Sequence, residues 1–512
     1  MDLFFILFIL VTISIALLLK QRGTRRRLPP PSPPTIPILG NLLWLTKPFS
    51  QMEPMLHRLR AKYGPVFTLY VGSRPVVFIM DGKHVHRSLI ANSEAFAHRP
   101  LPLTTSVLIN SNLRSINNTP YGSLWRILRR NIASEVIHPS KASMSSTHVQ
   151  RMALDILLKS LRKEAEANGG VVVPVHGIEL CIAFLMSSLC FGVTLDEQVV
   201  DRIKNVQREL LSIVHIHFAL NLLPKVALLL SWRRLGKLKQ LRRAQDEIFI
   251  PLIRARKQLL AVQQSEQKDL MMISYVDSLL KLRVEDGAVG NTRALREEEI
   301  VSFCSEFLDA SIWSSSKVLE WITARMVKHQ DIQEKLKKEI RGVMGDKKRL
   351  VDLDELQRMP YVKAVIFEAL RRHPPAHFLI PHAVKEDVMM DEYLIPNGSV
   401  VNFVVTSIGL DGRTWEEPLE FRPERFMPGG EGEGVDVTCR KREIKMMPFG
   451  AGRRMCPGLD MAVLQIQYLL VNLINEIELK AVEGLEVDFS DDAEIFVSMK
   501  NPFHARIAVS PA

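Results

Sequence analysis

The stretch PFGAGRRMCPG at residues 448–458 constrains this chain most, because it surrounds one cysteine, Cys456, with glycines and arginines. Glycines such as Gly452 and Gly458 let a backbone turn tightly and approach a flat ligand closely, since they carry no Cβ. Such a turn also frees backbone N–H groups to point at a metal-bound sulfur. Pro457 suits the first position of a helix, and residues 459–470 read as that helix. The positive end of the helix would favour an anionic Cys456 sulfur, which predicts a thiolate ligand.

Three interpretations of Cys456 compete. Most lone cysteines are small buried hydrophobic residues without a metal. A zinc site is disfavoured, because the nearest other cysteine is Cys439 and the chain has no C-x-x-C pair. The full frame F-x-x-G-x-R-x-C-x-G favours an iron porphyrin, since it resembles the haem-thiolate signature of the cytochrome P-450 superfamily, plant microsomal type. The resemblance implies haem b as the cofactor, with Cys456 as the axial ligand of the iron.

The resemblance also implies roles for residues around the haem. Arg454 would pair with a carboxylate at the ligand's edge, Phe449 would shield the sulfur, and Gly458 would allow close approach. Other members use a W-x-x-x-R pattern and a basic residue to hold the haem propionates, which here implies Trp125, Arg129 and His382. A structural Glu–Arg–Arg network near the haem is implied for Glu368, Arg371 and Arg425.

Composition describes an ordinary globular protein, with 512 residues of which 47% are hydrophobic and 24% charged. Five scattered cysteines argue against a disulfide framework and favour a reducing compartment. The net charge is +11, but no concentrated basic recognition motif for nucleic acid accompanies it, so no nucleic-acid partner is expected. A basic surface can also serve a membrane or an acidic protein partner.

The N-terminus carries the apolar run LFFILFILVTISIALLL at residues 3–19, followed by KQRGTRRR at residues 20–27. The run is at the short end of what spans a bilayer, and its basic flank indicates a cytosolic end. A cleaved signal peptide carries its charge before the apolar run, so an uncleaved anchor is favoured over that alternative. The prolines of LPPPSPPTIPILG, residues 28–40, predict a stiff extended spacer.

These features predict three regions. Residues 1–20 form a single-pass transmembrane anchor, residues 21–40 a basic and proline-rich hinge, and residues 41–512 one haem-thiolate catalytic domain. The resemblance implies that the anchor lies in the endoplasmic reticulum membrane, with the catalytic domain facing the cytosol.

The fold class is predicted as mainly α with a small β region, which is the cytochrome P-450 fold implied by the resemblance. Long helical patterns occupy residues 143–166, 199–222, 235–263 and 297–326. Residues 66–80 predict a β-hairpin that turns at residues 72–74. Two polar stretches are predicted to contain loops. Residues 264–292 form a polar segment that ends in a surface loop. Residues 428–442, which contain GGEGEG, form a flexible solvated loop.

The predicted central helix departs from the family pattern A-G-x-D/E-T-T. In the aligned residues, Ser311 replaces the glycine, Ile312 follows it, Trp313 replaces the acid and Ser314 keeps a hydroxyl. Trp313 cannot carry a proton as a carboxylate does, whereas both serines retain a hydroxyl group. Ser311 and Ser314 are therefore the candidate catalytic residues.

Two functions stay open. The first is a monooxygenase that inserts one oxygen atom from O2 into a hydrophobic small molecule, with electrons from NADPH through a separate NADPH-cytochrome P-450 reductase. The second is a haem-thiolate isomerase or dehydratase, or an impaired haem-binding protein, because the motif is altered at Ser311, Ile312 and Trp313. The ordinary length of the cysteine loop favours the first. An acidic reductase would dock on basic residues, for which the candidates are Arg126, Arg130, Lys441, Arg442 and Lys445.

Overall fold

A computed structural model describes residues 28–45, 47, 49–100, 115–137, 139–220, 232–266, 274–285, 291–345, 349–492 and 496–509. The anchor predicted at residues 1–20 and the basic part of the hinge, residues 21–27, lie outside the described residues.

Helices dominate the described chain. In chain order they are α1 (Leu42–Leu45), α2 (Phe49–Tyr63), α3 (Gly82–Val85), α4 (Ser123–Glu135), α5 (Pro139–Ala167), α6 (Pro174–Phe191), α7 (Glu197–Leu220), α8 (Trp232–Glu266), α9 (Tyr275–Lys281), α10 (Glu297–Lys328), α11 (Gln330–Met344), α12 (Leu353–Leu356), α13 (Pro360–Arg372), α14 (Val405–Gly409) and α15 (Leu459–Glu476). A π-helical turn, His86–Ala91, continues α3, and 3₁₀ turns cover Pro423–Phe426 and Gly452–Arg454.

The strands are short and form several small sheets. They are β1 (Val66–Val71), β2 (Arg74–Ile79), β3 (Val171–Val172), β4 (Arg283–Glu285), β5 (Thr292–Ala294), β6 (His382–Ala383), β7 (Val388–Met390), β8 (Tyr393–Ile395), β9 (Val400–Phe403), β10 (Ile477–Lys480), β11 (Asp491–Asp492), β12 (Ser498–Met499) and β13 (Ala505–Val509). The largest sheet has the order β1-β2-β9-β6, and a second has the order β10-β13-β3. In the first sheet β2 and β9 are parallel, whereas the other neighbours are antiparallel.

Helix α10 runs through the main hydrophobic core, where it packs against α6, α7, α8, α13 and α15. Its apolar side chains, such as Phe303, Leu308 and Trp321, are fully buried. Helix α6 is buried along almost its whole length. Among the described residues, α6 is also the helix whose length and apolar content would suit a membrane span, and its burial identifies it as a core helix.

The prediction of a mainly α fold with a small β region is confirmed. The four long helical patterns correspond to α5, α7, α8 and α10, and residues 66–80 form the β1–β2 hairpin with Val71 opposite Arg74. Local sequence patterns were sufficient for these elements, because each pattern continues over the length of one helix or hairpin.

The surface loop predicted at the end of residues 264–292 falls largely on residues 286–290, which lie outside the described residues. The polar segment before it contains a buried helix that its composition did not predict. The short helix α9 is buried there, and β4 pairs with β5 just after it. The Asp277 carboxylate accepts hydrogen bonds from Nε and Nη2 of Arg256, each at 2.7 Å, and from the Ser274 N–H at 2.9 Å. This buried ion pair lets a polar-looking segment dock in the core, which a local reading of composition does not reveal.

The loop predicted at residues 428–442 has neither helix nor strand, and residues such as Gly429, Glu433 and Arg442 are exposed, as expected of a solvated loop. Its middle, which the sequence did not indicate, packs against a buried arginine. Glu431 binds the buried Arg425 guanidinium, and the Gly432 N–H donates to the Arg425 carbonyl at 2.8 Å. A Cβ on Gly430 would lie 2.3 Å from the same carbonyl oxygen, so the glycine allows this close approach. The glycine-rich composition here serves tight packing around an arginine.

The Arg256–Asp277 pair gives a test of the buried α8–α9 contact, because both side chains are less than 5% exposed. Asp277→Asn leaves the Arg256 cation buried without its counter-charge and is expected to lower the free energy of unfolding by about 3–5 kcal/mol. Chemical denaturation measures this change.

Glu297→Gln is the matched control, because Glu297 pairs with Arg254 in similar geometry on the surface. This variant is expected to change stability little, since exposed ion pairs contribute little. Equal losses in the two variants would contradict the role given to burial.

Candidate active site

The cysteine loop is fixed by its own backbone and by the π-helical turn beneath it. The Cys456 N–H donates to the Phe449 carbonyl at 2.8 Å, which closes the loop around the 3₁₀ turn. Gly452 has a φ of 69°, and a Cβ at this position would lie 1.9 Å from the Leu89 carbonyl oxygen. A side chain at position 452 would therefore push the loop away from its support.

The Cys456 sulfur receives stabilisation from two directions. Burial raises the pKa of the Cys456 thiol, whereas the Gly458 N–H and the charge of Arg129 lower it. Cys456 is partly exposed, while the other four cysteines are buried. These features suit a ligand better than a core cysteine.

Pro457 does not occupy the first helical position predicted for it. Gly458 is the N-cap of α15, and the helix begins at Leu459. Because the helix begins after Gly458, the Gly458 N–H is available to the Cys456 sulfur. The Gly458 carbonyl accepts from the Ala462 N–H within the helix. The positive end of α15 nevertheless follows directly after Cys456.

Helix α4 presents two donors toward the same region. The Trp125 indole N–H is buried and has no hydrogen-bond partner among the described residues. One turn later, Arg129 has neither a hydrogen-bond nor an ion-pair partner within the described part of the chain, and the charge that acts on its pKa is that of Cys456. The Arg454 guanidinium lies 4.7 Å from the Trp125 ring centroid. Donors without a partner among these residues are available to an acceptor on a bound ligand.

Arg454 makes more hydrogen bonds within the protein than the sequence predicted. It donates to the carbonyls of Ala97, Ile116 and Thr119 at 2.8–2.9 Å. These bonds use three of its five N–H groups and leave two for a ligand carboxylate. Arg454 thus ties the cysteine loop to the chain segment before α4.

Glu306 on α10 holds the same segment from the opposite side, and sequence reasoning missed it. Its carboxylate accepts from the backbone N–H groups of Ile116 and Asn117 at 2.6 and 2.7 Å. Burial raises the pKa of Glu306 to about 7, although these hydrogen bonds and the charge of Arg99 lower it. No motif surrounds Glu306 in the sequence, because its partners are backbone groups nearly two hundred positions earlier.

Arg99 is a second residue that the sequence did not indicate. Its guanidinium donates to the carbonyls of Asn117, Ile380 and Pro381. Burial and the neighbouring charge of Arg454 lower the pKa of Arg99. Three arginines, at positions 99, 129 and 454, therefore bring positive charge to one region whose nearest carboxyl, Glu306, is itself hard to ionise.

His382 lies in β6 and is fully buried. Its Nδ1 is 2.6 Å from the Phe96 carbonyl, which can only accept, so Nδ1 carries a proton. Burial and the charges of Arg99 and Arg454 hold the pKa of His382 well below its ordinary value. The role of His382 as a partner of a haem propionate stays a prediction.

Glu368, Arg371 and Arg425 are brought together in the core. The Arg371 guanidinium donates to both Glu368 oxygens at 2.7 and 2.8 Å, and neither side chain is exposed. Arg425 lies 3.4 Å from Glu368. Arg371 also donates to the Gly409 and Pro418 carbonyls, so the network joins α13 to α14 and the chain beyond it.

The altered motif lies on a stripe of α10 that is open within an otherwise buried helix. Ala310 is exposed, Ser311 and Ser314 are half-buried, and Ile312 and Trp313 are buried. The Ser311 hydroxyl donates to the Phe307 carbonyl at 2.7 Å, and the Ser314 hydroxyl donates to the Ala310 carbonyl at 2.6 Å. Both hydroxyl protons are thus engaged within the helix, which leaves oxygen lone pairs on the open side.

The residues present fit the haem that the sequence implies. A haem carries an iron that a thiolate can hold and two carboxylates that need donors. The Cys456 sulfur supplies the first, while Trp125 and Arg129 have the unsatisfied donor capacity for the second. The surplus of arginine charge would be neutralised by the same carboxylates.

Trp125 gives a test of this fit. Trp125→Phe keeps most of the ring but removes the buried indole N–H, so haem should leave the protein at least about tenfold faster, which corresponds to one charge-assisted hydrogen bond. Transfer of haem to an excess of apomyoglobin measures the rate. Trp415→Phe is the control, because the Trp415 indole N–H donates to the Lys445 carbonyl instead. Equal haem loss from both variants would show that Trp125 contributes packing alone.

Glu306 gives a prediction with a defined pH window. Because its pKa rises from 4.5 to about 7, the folded protein binds this proton more tightly than the unfolded chain. Its contribution to stability is complete below about pH 4.5 and is lost as the pH rises towards 7. Glu306→Gln should remove this slope and should cost about 1–3 kcal/mol, since an amide has one acceptor oxygen for two backbone donors. Unfolding curves between pH 4.5 and 7 measure both effects, and an unchanged slope would contradict the assignment.

Comparison with known proteins agrees with this geometry. The family model described as cytochrome P-450 matches residues 30–506 of the chain. Cytochrome P-450 89A9 of Arabidopsis thaliana is 38% identical over 485 residues, which cover 93% of this chain and 93% of that relative. A flavonoid 3′-monooxygenase of Crocosmia x crocosmiiflora is 29% identical and covers 95% of this chain and 93% of its own length. Pluviatolide synthase of Podophyllum peltatum is 28% identical, with coverages of 98% and 96%.

The match extends over the core helices, the cysteine loop and the small sheets alike. This chain belongs to the cytochrome P-450 family, plant type, and is a haem-thiolate monooxygenase with haem b as its cofactor.

Proposed function

We propose that this monooxygenase inserts one oxygen atom from O2 into a hydrophobic small molecule, with electrons from NADPH delivered by a separate NADPH-cytochrome P-450 reductase. The observation that carries the proposal is the Cys456 sulfur, which receives the Gly458 N–H and lies within reach of the Arg129 charge. Haem b, when bound, supplies the redox chemistry, and a thiolate ligand favours cleavage of the O–O bond.

The protein's own residues position and protect this chemistry. Cys456 would hold the iron, Trp125 and Arg129 would hold the haem carboxylates, and Arg454 ties the cysteine loop to the Ala97 carbonyl. Ser311 and Ser314 border the open stripe of α10, where their oxygens can accept a proton and pass on the one they hold. The buried Trp313 and Ile312 exclude water from the helix interior.

A hydrophobic substrate is supported by the relatives and by the apolar helix. One relative is named for a flavonoid and another for the formation of pluviatolide, so both names refer to small molecules. Phe307, one turn before Ser311, adds an apolar residue to this part of α10. Apolar walls with a few polar groups are typical of such sites.

The membrane arrangement belongs to the same proposal. Residues 1–20 anchor the chain once in the endoplasmic reticulum membrane, residues 21–40 form the hinge, and residues 41–512 face the cytosol. A substrate dissolved in the membrane would then reach the catalytic domain without crossing much water.

The decisive experiment follows NADPH consumption, product and peroxide release with a plant reductase across a panel of hydrophobic substrates. The carbon monoxide difference spectrum of the reduced protein checks the thiolate ligand in the same sample. Substrate-dependent consumption that ends in hydroxylated product is the expected result. A thiolate spectrum without any reduction of the protein by the reductase would contradict the proposal.

A second function is favoured by one observation, the loss of the acid at Trp313. An isomerase or dehydratase, or an impaired haem-binding protein, has no need of a proton relay. Rearrangement of a lipid hydroperoxide in the absence of NADPH would support that function. The double variant Ser311→Gly, Trp313→Asp restores the family pattern, and it should shift electrons from peroxide to product only if the protein is an oxygenase.

Reductase docking gives a further prediction. Arg126 and Arg453 lie 5.1 and 5.2 Å from the ring centroid of Tyr121, so exposed cations flank the cysteine loop. Arg130 and Arg442 are exposed and have no ion-pair partner within the described ranges. Lys441 and Lys445 donate to backbone carbonyls of the 428–442 loop, which makes them weaker candidates.

The variant Arg130→Glu, Arg442→Glu should slow reduction by the reductase about tenfold at low salt, with haem content retained, because like charges then meet at the contact. Stopped-flow reduction under carbon monoxide measures the rate. Lys239→Glu on α8 is the control for one exposed charge reversal. Unchanged rates in the double variant would refute docking at this surface.

A further inference from the structure

Helix α10 keeps a carboxyl group close to the position where the family pattern loses one. Trp313 occupies the position of the acid, but Asp309 lies four residues earlier, on the same face of the helix. The neighbouring Glu306 is already engaged with the backbone of Ile116 and Asn117. Asp309 is therefore the carboxyl of this part of α10 that the site described above does not use.

The Asp309 carboxyl is held in a defined place by polar side chains of α7 and α8. The Gln207 amide donates to Asp309 Oδ1 at 3.0 Å. The Gln245 amide in turn donates to Gln207 and to the Ser305 hydroxyl, at 2.5 and 2.7 Å. Gln207 and Gln245 are fully buried, so this cluster fixes the carboxyl orientation where three helices meet.

Trp313 interacts with Asp309 and also lies against a cation. The indole N–H of Trp313 is buried without a well-formed hydrogen bond, and Asp309 is the carboxyl with which it interacts. The Arg208 guanidinium lies 5.0 Å from the centroid of the Trp313 ring and is bound to Glu179. Asp309 has no cationic partner in the portion of the chain that the structure describes.

Asp309 holds a proton more tightly than an exposed aspartate does. Burial raises the pKa of Asp309 well above its ordinary value, the interaction with Trp313 lowers it, and the charge of Glu306 raises it. Asp309 is half-buried, and the next residue, Ala310, is exposed on the open stripe of α10. The carboxyl therefore lies beside the open stripe that borders Ser311 and Ser314.

We propose that Asp309 holds the proton that the family pattern assigns to the acid at position 313, and that it releases this proton to the pocket during oxygen activation. This inference rests on the proposed monooxygenase function. The overall reaction consumes two protons and two electrons with RH and O2, and yields ROH and H2O. Asp309 gives up one proton at a time through its carboxyl O–H and regains it from solvent water, so it is unchanged after each turnover.

The alternative is a purely structural role, in which Asp309 only accepts the hydrogen bond from Gln207. Asp309→Asn separates the two roles, because its amide oxygen can still accept from Gln207 but the side chain no longer titrates. Asp309→Glu is the rescue variant, since it restores a carboxyl. Asp246→Asn is the matched control, because burial also raises the pKa of that α8 carboxyl, which lies beside Gln245.

The first measurement is independent of activity. Infrared spectra of the haem-loaded proteins at neutral pH should contain a carbonyl band of a protonated carboxylic acid that shifts in D2O and that Asp309→Asn loses, while the bands of other protonated carboxyls remain. A spectrum of Asp309→Asn identical to that of the parent in this region would overturn the proposal.

The second measurement determines which share of the NADPH electrons ends in peroxide and which share ends in product. Asp309→Asn should raise the peroxide share several-fold and enlarge the solvent isotope effect on product formation, while Asp309→Glu and Asp246→Asn should resemble the parent. Unchanged partition and isotope effect in Asp309→Asn would show that Asp309 is structural. A parent that consumes no NADPH would overturn the monooxygenase function and the proton release together, whereas the infrared band would still report whether Asp309 holds a proton.

Discussion

The Arg454 guanidinium is the interaction on which the rest of the site depends. Its three bonds to the carbonyls of Ala97, Ile116 and Thr119 join the cysteine loop to the segment before α4. Glu306 binds the backbone N–H groups of the same segment from α10. Residues 116–119 are therefore bound both by the cysteine loop and by α10.

Charge is distributed unequally on the two sides of the site. Arg99, Arg129 and Arg454 bring positive charge to the region around Trp125, where haem carboxylates can neutralise it. Along α10 the carboxyls of Glu306 and Asp309 are half-buried, and desolvation raises their pKa values. Positive charge therefore collects around Trp125, while the carboxyls along α10 hold their protons more tightly than exposed carboxyls do.

Much of the fold could be predicted because its signals are local. Each long helix repeats its apolar residues every three or four positions, and the β1–β2 hairpin has a turn between two β-branched runs. The features that the sequence did not predict depend on distant partners. Helix α9 is buried where Asp277 binds Arg256, and the middle of the 428–442 loop packs inward where Glu431 binds Arg425. The pKa of His382 is lowered by burial and by the charges of Arg99 and Arg454.

The sequence by itself determined the cysteine ligand, the class of cofactor and the altered oxygen motif, because a short motif with fixed spacing identifies each of them. The tertiary structure alone decided which polar groups are satisfied. Trp125 keeps an unpaired N–H, Arg454 is largely used by backbone carbonyls, and Asp309 has no cation beside it within the described residues. These properties depend on burial and on contacts between residues hundreds of positions apart. The identity of a residue in the sequence does not reveal whether its carboxyl or guanidinium group has a partner.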